Sequence, residues 1–192
     1  PLKRAKETAQ IIFPNKTIIE DDRLKEMNFG DYEGKFIDEL KKENLEIFEL
    51  NGIEPNPRVT SVNTGANICK KEKIDVLLAV GGGSVIDCTK AIAAATFYEG
   101  DAWDIVTKKV PVINCLPLVT ILTLSATGSE MDAGGVISNL ETNDKIGVAS
   151  PLMQPKVSFL NPKNTFTVSP YQTACGAADI LSHIMETYFN TT

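Results

Sequence analysis

In the middle of the chain, short runs of consecutive apolar residues alternate with segments whose apolar residues recur at helical spacing. Residues 74–80 are continuously apolar apart from Asp75, and they lead into three glycines and then a helical pattern over residues 84–97. A short apolar run of this kind is typical of a strand buried on both faces of a parallel sheet. The order of strand, tight glycine turn and helix therefore predicts half of a βαβ unit.

Further elements follow from shorter patterns. A helix is predicted over residues 60–73, and the last helix begins at a capping signal in which Ser169 precedes Pro170 and Gln172. The other predicted strands are short apolar segments separated by turn residues, namely residues 110–118, 136–138, 145–149 and 157–160. Together these elements predict an α/β class.

The first 47 residues differ from the rest because they are polar and rich in charge. They predict a helix over residues 4–12, a strand over residues 16–20 and a second helix over residues 37–50. The segment 51–57, with its glycine and two prolines, is typical of a connector. We expect a boundary between residues 47 and 48.

Composition excludes some classes of function. The net charge of -6 argues against nucleic acid as a partner, because phosphate binding needs an excess of Lys and Arg. No uninterrupted apolar segment reaches the roughly 18 residues that a bilayer span requires, and no signal-peptide pattern is present. The four cysteines form no CxxC pair, so we expect free thiols in a cytoplasmic protein without a membrane partner.

The glycine turn is the first candidate site. A turn without side chains lets backbone N–H groups face an anion, and the N-terminus of the following helix adds partial positive charge. A dinucleotide pyrophosphate suits such a turn, although Ile86 stands where the GxGxxG motif has its third glycine. A purely structural turn stays open as the alternative. Asp87 and Lys90 lie on the helix beyond it, where Asp87 can reach a ribose hydroxyl or both can be exposed surface residues.

The last helix carries a candidate metal site. Asp179 and His183 lie four residues apart and so share one helix face, where a carboxylate oxygen and an imidazole nitrogen can bind one divalent metal. A hydrogen-bonded surface pair is the alternative. His183 is the one histidine of the sequence, so these residues supply only two of the three or four ligands that a stable site needs.

Four motifs occur in a fixed order. Residues 51–58 resemble a GIxPNPR motif, residues 79–90 a cofactor loop AVGGGSxxDxxK, residues 122–130 a TxxATGSE segment, and residues 176–186 a metal helix GxxDxxxHxxE. Together they resemble iron-containing alcohol dehydrogenases of the butanol dehydrogenase type. The resemblance implies a partial dinucleotide-binding parallel sheet with flanking helices in residues 48–168. The first helix of an all-α metal-binding domain would follow in residues 169–192.

The resemblance also implies an activity and a set of site residues. The activity is hydride transfer between a primary alcohol or aldehyde, such as butanol or butanal, and NAD or NADP, with Fe²⁺ or Zn²⁺ binding the alcohol oxygen. The implied cofactor residues are Gly81, Gly82, Gly83, Ser84, Asp87, Thr123, Thr127 and Lys145, and the implied metal ligands are Asp179 and His183.

Some positions depart from the family pattern. Asp132 stands where related enzymes often have Asn beside the cofactor, and Asn161 with Pro162 replaces a common Asp-Pro pair whose role we expect to be structural. Family members also carry an opening strand with a glycine–serine loop, and two further histidine ligands downstream. Because this sequence contains neither, we expect the chain alone to be inactive, and poorly soluble or self-associated as a homo-oligomer.

The first segment resembles a different family. Residues 1–9 resemble the SxLxRAxxTA segment of histidine phosphatases, and residues 23–34 resemble their LxExxfGxxEG segment. The resemblance implies that Arg4 holds phosphate and Glu26 donates a proton. Both catalytic histidines of that family are absent from this segment, so phosphatase chemistry lacks its nucleophile. A phosphatase-type hydrolase and a non-catalytic fusion remnant are therefore the two alternatives to the dehydrogenase.

Overall fold

Helices and strands alternate over residues 46–190, the part of the chain that the computed structural model describes. The elements in chain order are α1 (Val59–Glu72), β1 (Leu77–Gly81), α2 (Gly83–Ala95), α3 (Ala102–Val106), β2 (Leu118–Leu122), β3 (Gly134–Asn139), β4 (Asp144–Ala149), a 3₁₀ turn (Pro151–Met153), β5 (Val157–Phe159), a second 3₁₀ turn (Pro162–Thr165) and α4 (Pro170–Phe189). The helix predicted over residues 4–12, the strand over residues 16–20, and Arg4 and Glu26 lie outside the described residues.

The described strands form two sheets. β1, β2 and β5 make a parallel sheet in the order β1-β2-β5, in which Leu77 pairs with Leu118 and Val119 pairs with Val157. β3 and β4 make an antiparallel hairpin. The predicted α/β class and the strand, glycine turn and helix of a βαβ unit are confirmed.

Small residues bring the two long central helices together. Cys88 and the run of alanines at the end of α2 are buried, and a side chain at Gly65 of α1 would overlap Ile92 of α2. Lys73 caps the C-terminus of α1, where it adopts the left-handed conformation with φ of 54° and donates its backbone N–H to the carbonyl of Cys69. The close packing of Gly65 in α1 against Ile92 in α2 fixes the direction of α2, whose N-terminus carries the glycine turn.

Two of the predicted strands differ from the structure, one in where it begins and the other in how far it is buried. The strand expected over residues 110–118 begins at Leu118 instead, because Pro111 and Pro117 have no N–H for a ladder. The carbonyl of Pro117 accepts a hydrogen bond from the Leu77 N–H at 3.0 Å, so pairing with β1 starts at this point. β1 is not buried on both faces as expected, since Leu78 and Val80 are 39% and 40% exposed. Among the described residues, α2 packs against one face of this strand, where Ile86 contacts the cluster around Ala79.

Two helices differ from the sequence predictions, and the start of a third agrees with them. The helix expected over residues 37–50 does not include residues 46–50, where Leu50 packs against the α1–α2 core in an irregular segment. α3 was not predicted, although Asp101 caps it by accepting a hydrogen bond from the Trp103 N–H. The predicted cap of α4 is confirmed, since Ser169 Oγ accepts from the Gln172 N–H at 3.2 Å.

α4 is largely exposed along its length. Gly176 is its buried residue, and it packs against the backbone of Ser125 in the loop after β2. Large apolar side chains beyond it, such as Ile184, Met185 and Phe189, are more than half exposed. Within the described residues, no helix is both long enough and apolar enough to cross a membrane.

Candidate functional site

The glycine turn lies where β1 ends and α2 begins. Gly81 is the last residue of β1, and the carbonyl of Gly82 accepts the first hydrogen bonds of α2, from Val85 and Ile86. The N–H groups of the first turn of a helix have no partner within the helix, and they carry its partial positive charge. The turn therefore presents backbone donors at the carboxyl edge of a parallel sheet, where open α/β sheets bind ligands.

A threonine packs directly on this turn. A Cβ added at Gly83 would lie 2.5 Å from Thr127 Oγ1 and 2.9 Å from its Cγ2. Both distances are shorter than a van der Waals contact, so a side chain at position 83 would overlap the threonine. A Cβ at Gly82 would lie 3.3 Å from Leu124. Gly83 therefore has to be glycine for Thr127 to approach. The structure brings together these two residues, which the sequence resemblance assigned separately to the cofactor.

The loop after β2 also contacts the turn through its backbone. The Thr123 N–H donates to the carbonyl of Gly81 at 3.0 Å, so Thr123 lies directly beside the turn. Thr127 Oγ1 accepts from the N–H of Ser129 at 3.3 Å, which fixes the orientation of the threonine. Both predicted threonines thus lie on the loop that covers the glycine turn.

Lys145 reaches the turn through an asparagine. Its Nζ donates to Asn56 Oδ1 at 2.6 Å, and the backbone N–H of Asn56 donates to Ser84 Oγ at 3.3 Å. Asn56 has a φ of 58°, a left-handed conformation that Asn tolerates better than most residues. The role of Asn56 as a link between the hairpin and the turn was not predicted, although it lies within the GIxPNPR-like motif.

Asp87 faces protein groups on both of its oxygens. One oxygen accepts from Ser129 Oγ, and the other accepts from the Val136 N–H at 2.8 Å, while Gly135 packs against the carboxyl group. Burial raises the pKa of Asp87, and these two hydrogen bonds and the charge of Lys90 oppose that rise. In the ribose contact considered for Asp87, the hydroxyl would donate to a carboxylate oxygen that already accepts one hydrogen bond.

Lys90 is fully buried, so the exposed surface considered for it is wrong. Its ammonium donates to Ser129 Oγ at 3.2 Å, to Asp132 Oδ1 at 2.6 Å and to the Gly134 carbonyl at 2.7 Å. Asp132 also accepts from the Gly134 N–H at 2.9 Å. The negative charge that Asp132 adds to this region is thus paired with a lysine. Lys90 and Ser129 lie in motifs, whereas Asp132 and Gly134 do not, and no sequence pattern indicated that these residues contact one another.

The candidate metal ligands lie on one face of α4, as predicted. Asp179 Oδ1 and His183 Nε2 are 3.7 Å apart, and Glu186 Oε2 lies 3.8 Å from His183 Nδ1. A carboxylate oxygen and an imidazole nitrogen suit Fe²⁺ or Zn²⁺, so the pair fits as two ligands of such a metal. Residues 46–190 contain no group of three or more His, Cys, Asp or Glu side chains able to hold a metal, so the pair by itself leaves the shell open.

Burial makes two of the free thiols poor nucleophiles. Burial raises the pKa of Cys88, on α2, to about 12, and that of Cys115 to about 11. Thiolates are the nucleophilic form of cysteine, so neither residue is suited to covalent chemistry at neutral pH. Asn161 caps the second 3₁₀ turn by accepting from the Lys163 N–H, in agreement with the structural role expected for it.

Comparison with known proteins gives a consistent result. A family model described as "Iron-containing alcohol dehydrogenase" matches residues 18–162. The chain is 58% identical over 154 residues to the probable NADH-dependent butanol dehydrogenase 1 of Bacillus subtilis, with 80% of this chain and 40% of the relative covered. It is 54% identical over 151 residues to NADH-dependent butanol dehydrogenase A of Clostridium acetobutylicum, with 79% and 39% covered.

The fold of the chain also matches that of a solved structure. The crystal structure of NADH-dependent butanol dehydrogenase A from Thermotoga maritima superposes with a TM-score of 0.78 at 45% identity, over 81% of this chain and 39% of that one. The chain thus spans about 40% of the length of the relatives it matches. The family match begins at residue 18, inside the segment that resembles histidine phosphatases, and that second resemblance stays a prediction.

Proposed function

The chain belongs to the iron-containing alcohol dehydrogenase family, and on that premise we propose that it binds NAD or NADP at the glycine turn. The bound cofactor would exchange hydride with a primary alcohol or aldehyde in the complete enzyme. The observation that carries the proposal is the contact between Gly83 and Thr127 at the carboxyl edge of the parallel sheet. A glycine turn that packs against the loop carrying Thr127 suits a flat ligand with an anionic group, which accepts hydrogen bonds from the backbone N–H groups of the turn.

The cofactor would be held mainly by backbone groups. The N–H groups of Gly83 and Ser84, at the start of α2, would donate to the pyrophosphate, and the helix N-terminus would stabilise its charge. Lys145 binds the Asn56 side chain, and the Asn56 backbone N–H donates to Ser84, so Lys145 would add a cation beside the phosphates or the ribose. Thr123 and Thr127 would bound the cleft on the side of the β2 loop.

Asp87 would position protein groups around the cofactor through the hydrogen bonds that it accepts. Its two oxygens are engaged by Ser129 and the Val136 N–H, so it would orient the β3 edge of the cleft and lie near the nicotinamide end. A contact between the cofactor and the Asp87 carboxylate would be an addition to these hydrogen bonds.

A divalent metal would complete the chemistry. Fe²⁺ or Zn²⁺ would supply Lewis-acid polarisation of the alcohol or aldehyde oxygen when bound. Asp179 and His183 would be two of its ligands, and Gly176, one turn before Asp179, docks α4 on the loop that also carries Thr127. This docking would align the ligand pair with the cofactor side of the molecule. Further ligands would come from outside residues 46–190.

Self-association is a further part of the proposal. Leu78 and Val80 on β1, and Ile184 and Met185 on α4, expose apolar surface that an oligomer would cover. Sedimentation velocity of the purified chain measures its size directly. A cytoplasmic location is proposed from the four cysteines, which are all free thiols in the structure, and cell fractionation tests it.

The experiment uses the purified 192-residue chain with NADH, NADPH, butanal and either Fe²⁺ or Zn²⁺. Cofactor binding is followed by NADH fluorescence, and turnover by the absorbance of the reduced cofactor. We expect NADH to bind, and butanal not to be reduced by the chain alone, because two ligands do not complete a catalytic metal site. Turnover that disappears in His183→Ala would contradict the expected inactivity. Failure of both cofactors to bind at millimolar concentration would refute the proposal.

A further inference from the structure

Three residues of α2 contact one loop in succession. Gly83, Asp87 and Lys90 have the i, i+4, i+7 spacing that places residues on one helix face. Gly83 admits Thr127, and Asp87 accepts a hydrogen bond from Ser129 further along the same loop. Lys90 contacts the loop at its far end. The segment of residues 127–134, a loop that ends on the first residue of β3, thus lies along the face of α2 that begins at the glycine turn.

Lys90 is the centre of this contact. An ammonium group has three N–H donors, and its three donor interactions are Ser129 Oγ, the Asp132 carboxylate and the Gly134 carbonyl. These three acceptors come from positions spread over six residues of loop, so one buried cation fixes the path of the whole segment. Asp132 returns a second hydrogen bond by accepting from the Gly134 N–H, which closes the turn around the ion pair.

Burial of this charge needs a reason other than stability. A fully buried lysine costs free energy even when it is paired, and a well-packed apolar side chain of similar volume is often as stable or more so. Lys90 is nevertheless fully buried, and Asp132, its partner, is half exposed. An apolar residue at position 90 would fill the space but would leave the loop without the contacts that set its path.

We propose that Lys90 is a positioning residue for the cofactor cleft, in which its ammonium fixes the loop of residues 127–134 and so holds Thr127 over the glycine turn. The inference rests on the proposed function for its effect on cofactor binding. Lys90 itself does not touch the cofactor, because it lies fully buried beneath the loop. It also neutralises Asp132, so that the carboxylate does not oppose the binding of an anionic pyrophosphate.

The first test follows the loop in the free chain. Hydrogen–deuterium exchange of the loop peptides is compared between the wild-type chain and Lys90→Met, a neutral side chain of similar length. We expect the exchange of residues 127–134 to accelerate about tenfold or more, while α1 keeps its wild-type protection. The matched control is Lys109→Met, which removes an exposed lysine paired with Asp104 and should leave the loop unchanged. Wild-type exchange of the loop in Lys90→Met would overturn the proposal.

A second pair of variants keeps the test valid if Lys90→Met does not fold. Asp132→Ala removes an acceptor of the network from a half-exposed position, whereas Asp132→Asn keeps an oxygen that accepts from both Lys90 and Gly134. We expect faster loop exchange in Asp132→Ala and near wild-type exchange in Asp132→Asn. A loop that is unaffected by Asp132→Ala, or equally affected by both changes, contradicts a positioning role.

NADH titrations of the same variants measure the effect on the cleft. The dissociation constant should rise about tenfold or more in Lys90→Met and Asp132→Ala, and stay within about threefold of wild type in Asp132→Asn and Lys109→Met. If wild type does not bind NADH, the proposed function fails, while the exchange data on the free chain still decide the role of Lys90. If NADH binds equally to all variants, Lys90 does not position the cleft.

Discussion

Gly83 offers the sharpest single change in the candidate cleft. Gly83→Ala would place a methyl group 2.5 Å from Thr127 Oγ1, 2.9 Å from its Cγ2 and 3.2 Å from its Cβ. The threonine side chain is short and its hydroxyl accepts from the Ser129 N–H, so it cannot swing away without losing that hydrogen bond. Either the loop or the start of α2 has to move.

The expected magnitude follows from overpacking and from lost phosphate contacts. Forcing a methyl group into a packed contact costs about 1–3 kcal/mol, which corresponds to a fall in melting temperature of about 2–12 °C for a domain of this size. A hydrogen bond to a charged group contributes about 1.5–3 kcal/mol, so displacement of one backbone donor should weaken NADH binding about 10- to 100-fold.

Two matched variants isolate the cause. Gly147→Ala adds a methyl group at an exposed position of β4 with no atom within 4 Å, so melting and NADH binding should stay close to wild type. In the double variant Gly83→Ala with Thr127→Ala, the nearest loop atom that remains is the Cβ at 3.2 Å, which relieves most of the overlap. The double variant should therefore melt above Gly83→Ala alone.

Thermal denaturation and NADH fluorescence titration on the full chain provide the readouts. Wild-type NADH affinity in Gly83→Ala, or a loss of stability no larger than in Gly147→Ala, would contradict a tight contact between Gly83 and Thr127 at the cofactor site. The contact is also contradicted if Thr127→Ala adds its own loss to that of Gly83→Ala instead of relieving it.

The remaining predictions concern α4, the thiols and one buried carboxyl group. Gly176→Ala should lower the melting temperature despite the higher helix propensity of Ala, because the new Cβ would lie 2.9 Å from the Ser125 carbonyl oxygen; a raised melting temperature would show that α4 does not dock there. A thiol reagent at neutral pH should label the exposed Cys175 first and leave Cys88 unlabelled, because burial raises the pKa of Cys88 to about 12. Mass spectrometry of the native chain checks the order of labelling, and equal labelling rates would contradict it. Burial raises the pKa of Asp87 above its ordinary value of 3.8, so the folded chain holds that proton more tightly and its contribution to stability falls as pH rises from about 3.8 through the folded pKa. Melting curves between pH 4 and 7 should show a smaller fall in Asp87→Asn, and identical pH dependence would refute this assignment.

Local patterns predicted the parts of the fold that depend on neighbouring residues. The glycine turn at the end of β1, the two short strands that correspond to β3 and β4, and the cap of α4 by Ser169 were all predictable because glycine, turn residues and capping residues act within a few positions. The pairing of Asp179 with His183 on one helix face follows from helical periodicity alone.

Contacts between distant segments could not be predicted in this way. The burial of Lys90 depends on a loop about forty residues further along, whose path no propensity rule gives. The register of β2 depends on where pairing with β1 begins, which the apolar pattern of residues 110–118 does not show, although Pro111 and Pro117 already argue against an earlier start of the strand. The exposure of Leu78 and Val80 depends on what covers the sheet, which an apolar run does not encode.

A crystal structure of the chain with NADH tests the central claim most directly. We expect the pyrophosphate to lie against the backbone N–H groups of Gly83 and Ser84 at the start of α2. Thr127 and Lys145 should then lie in contact with the cofactor. A pyrophosphate bound elsewhere on the chain, or a glycine turn that stays empty of NADH at saturating concentration, would contradict the assignment of this turn as the cofactor site.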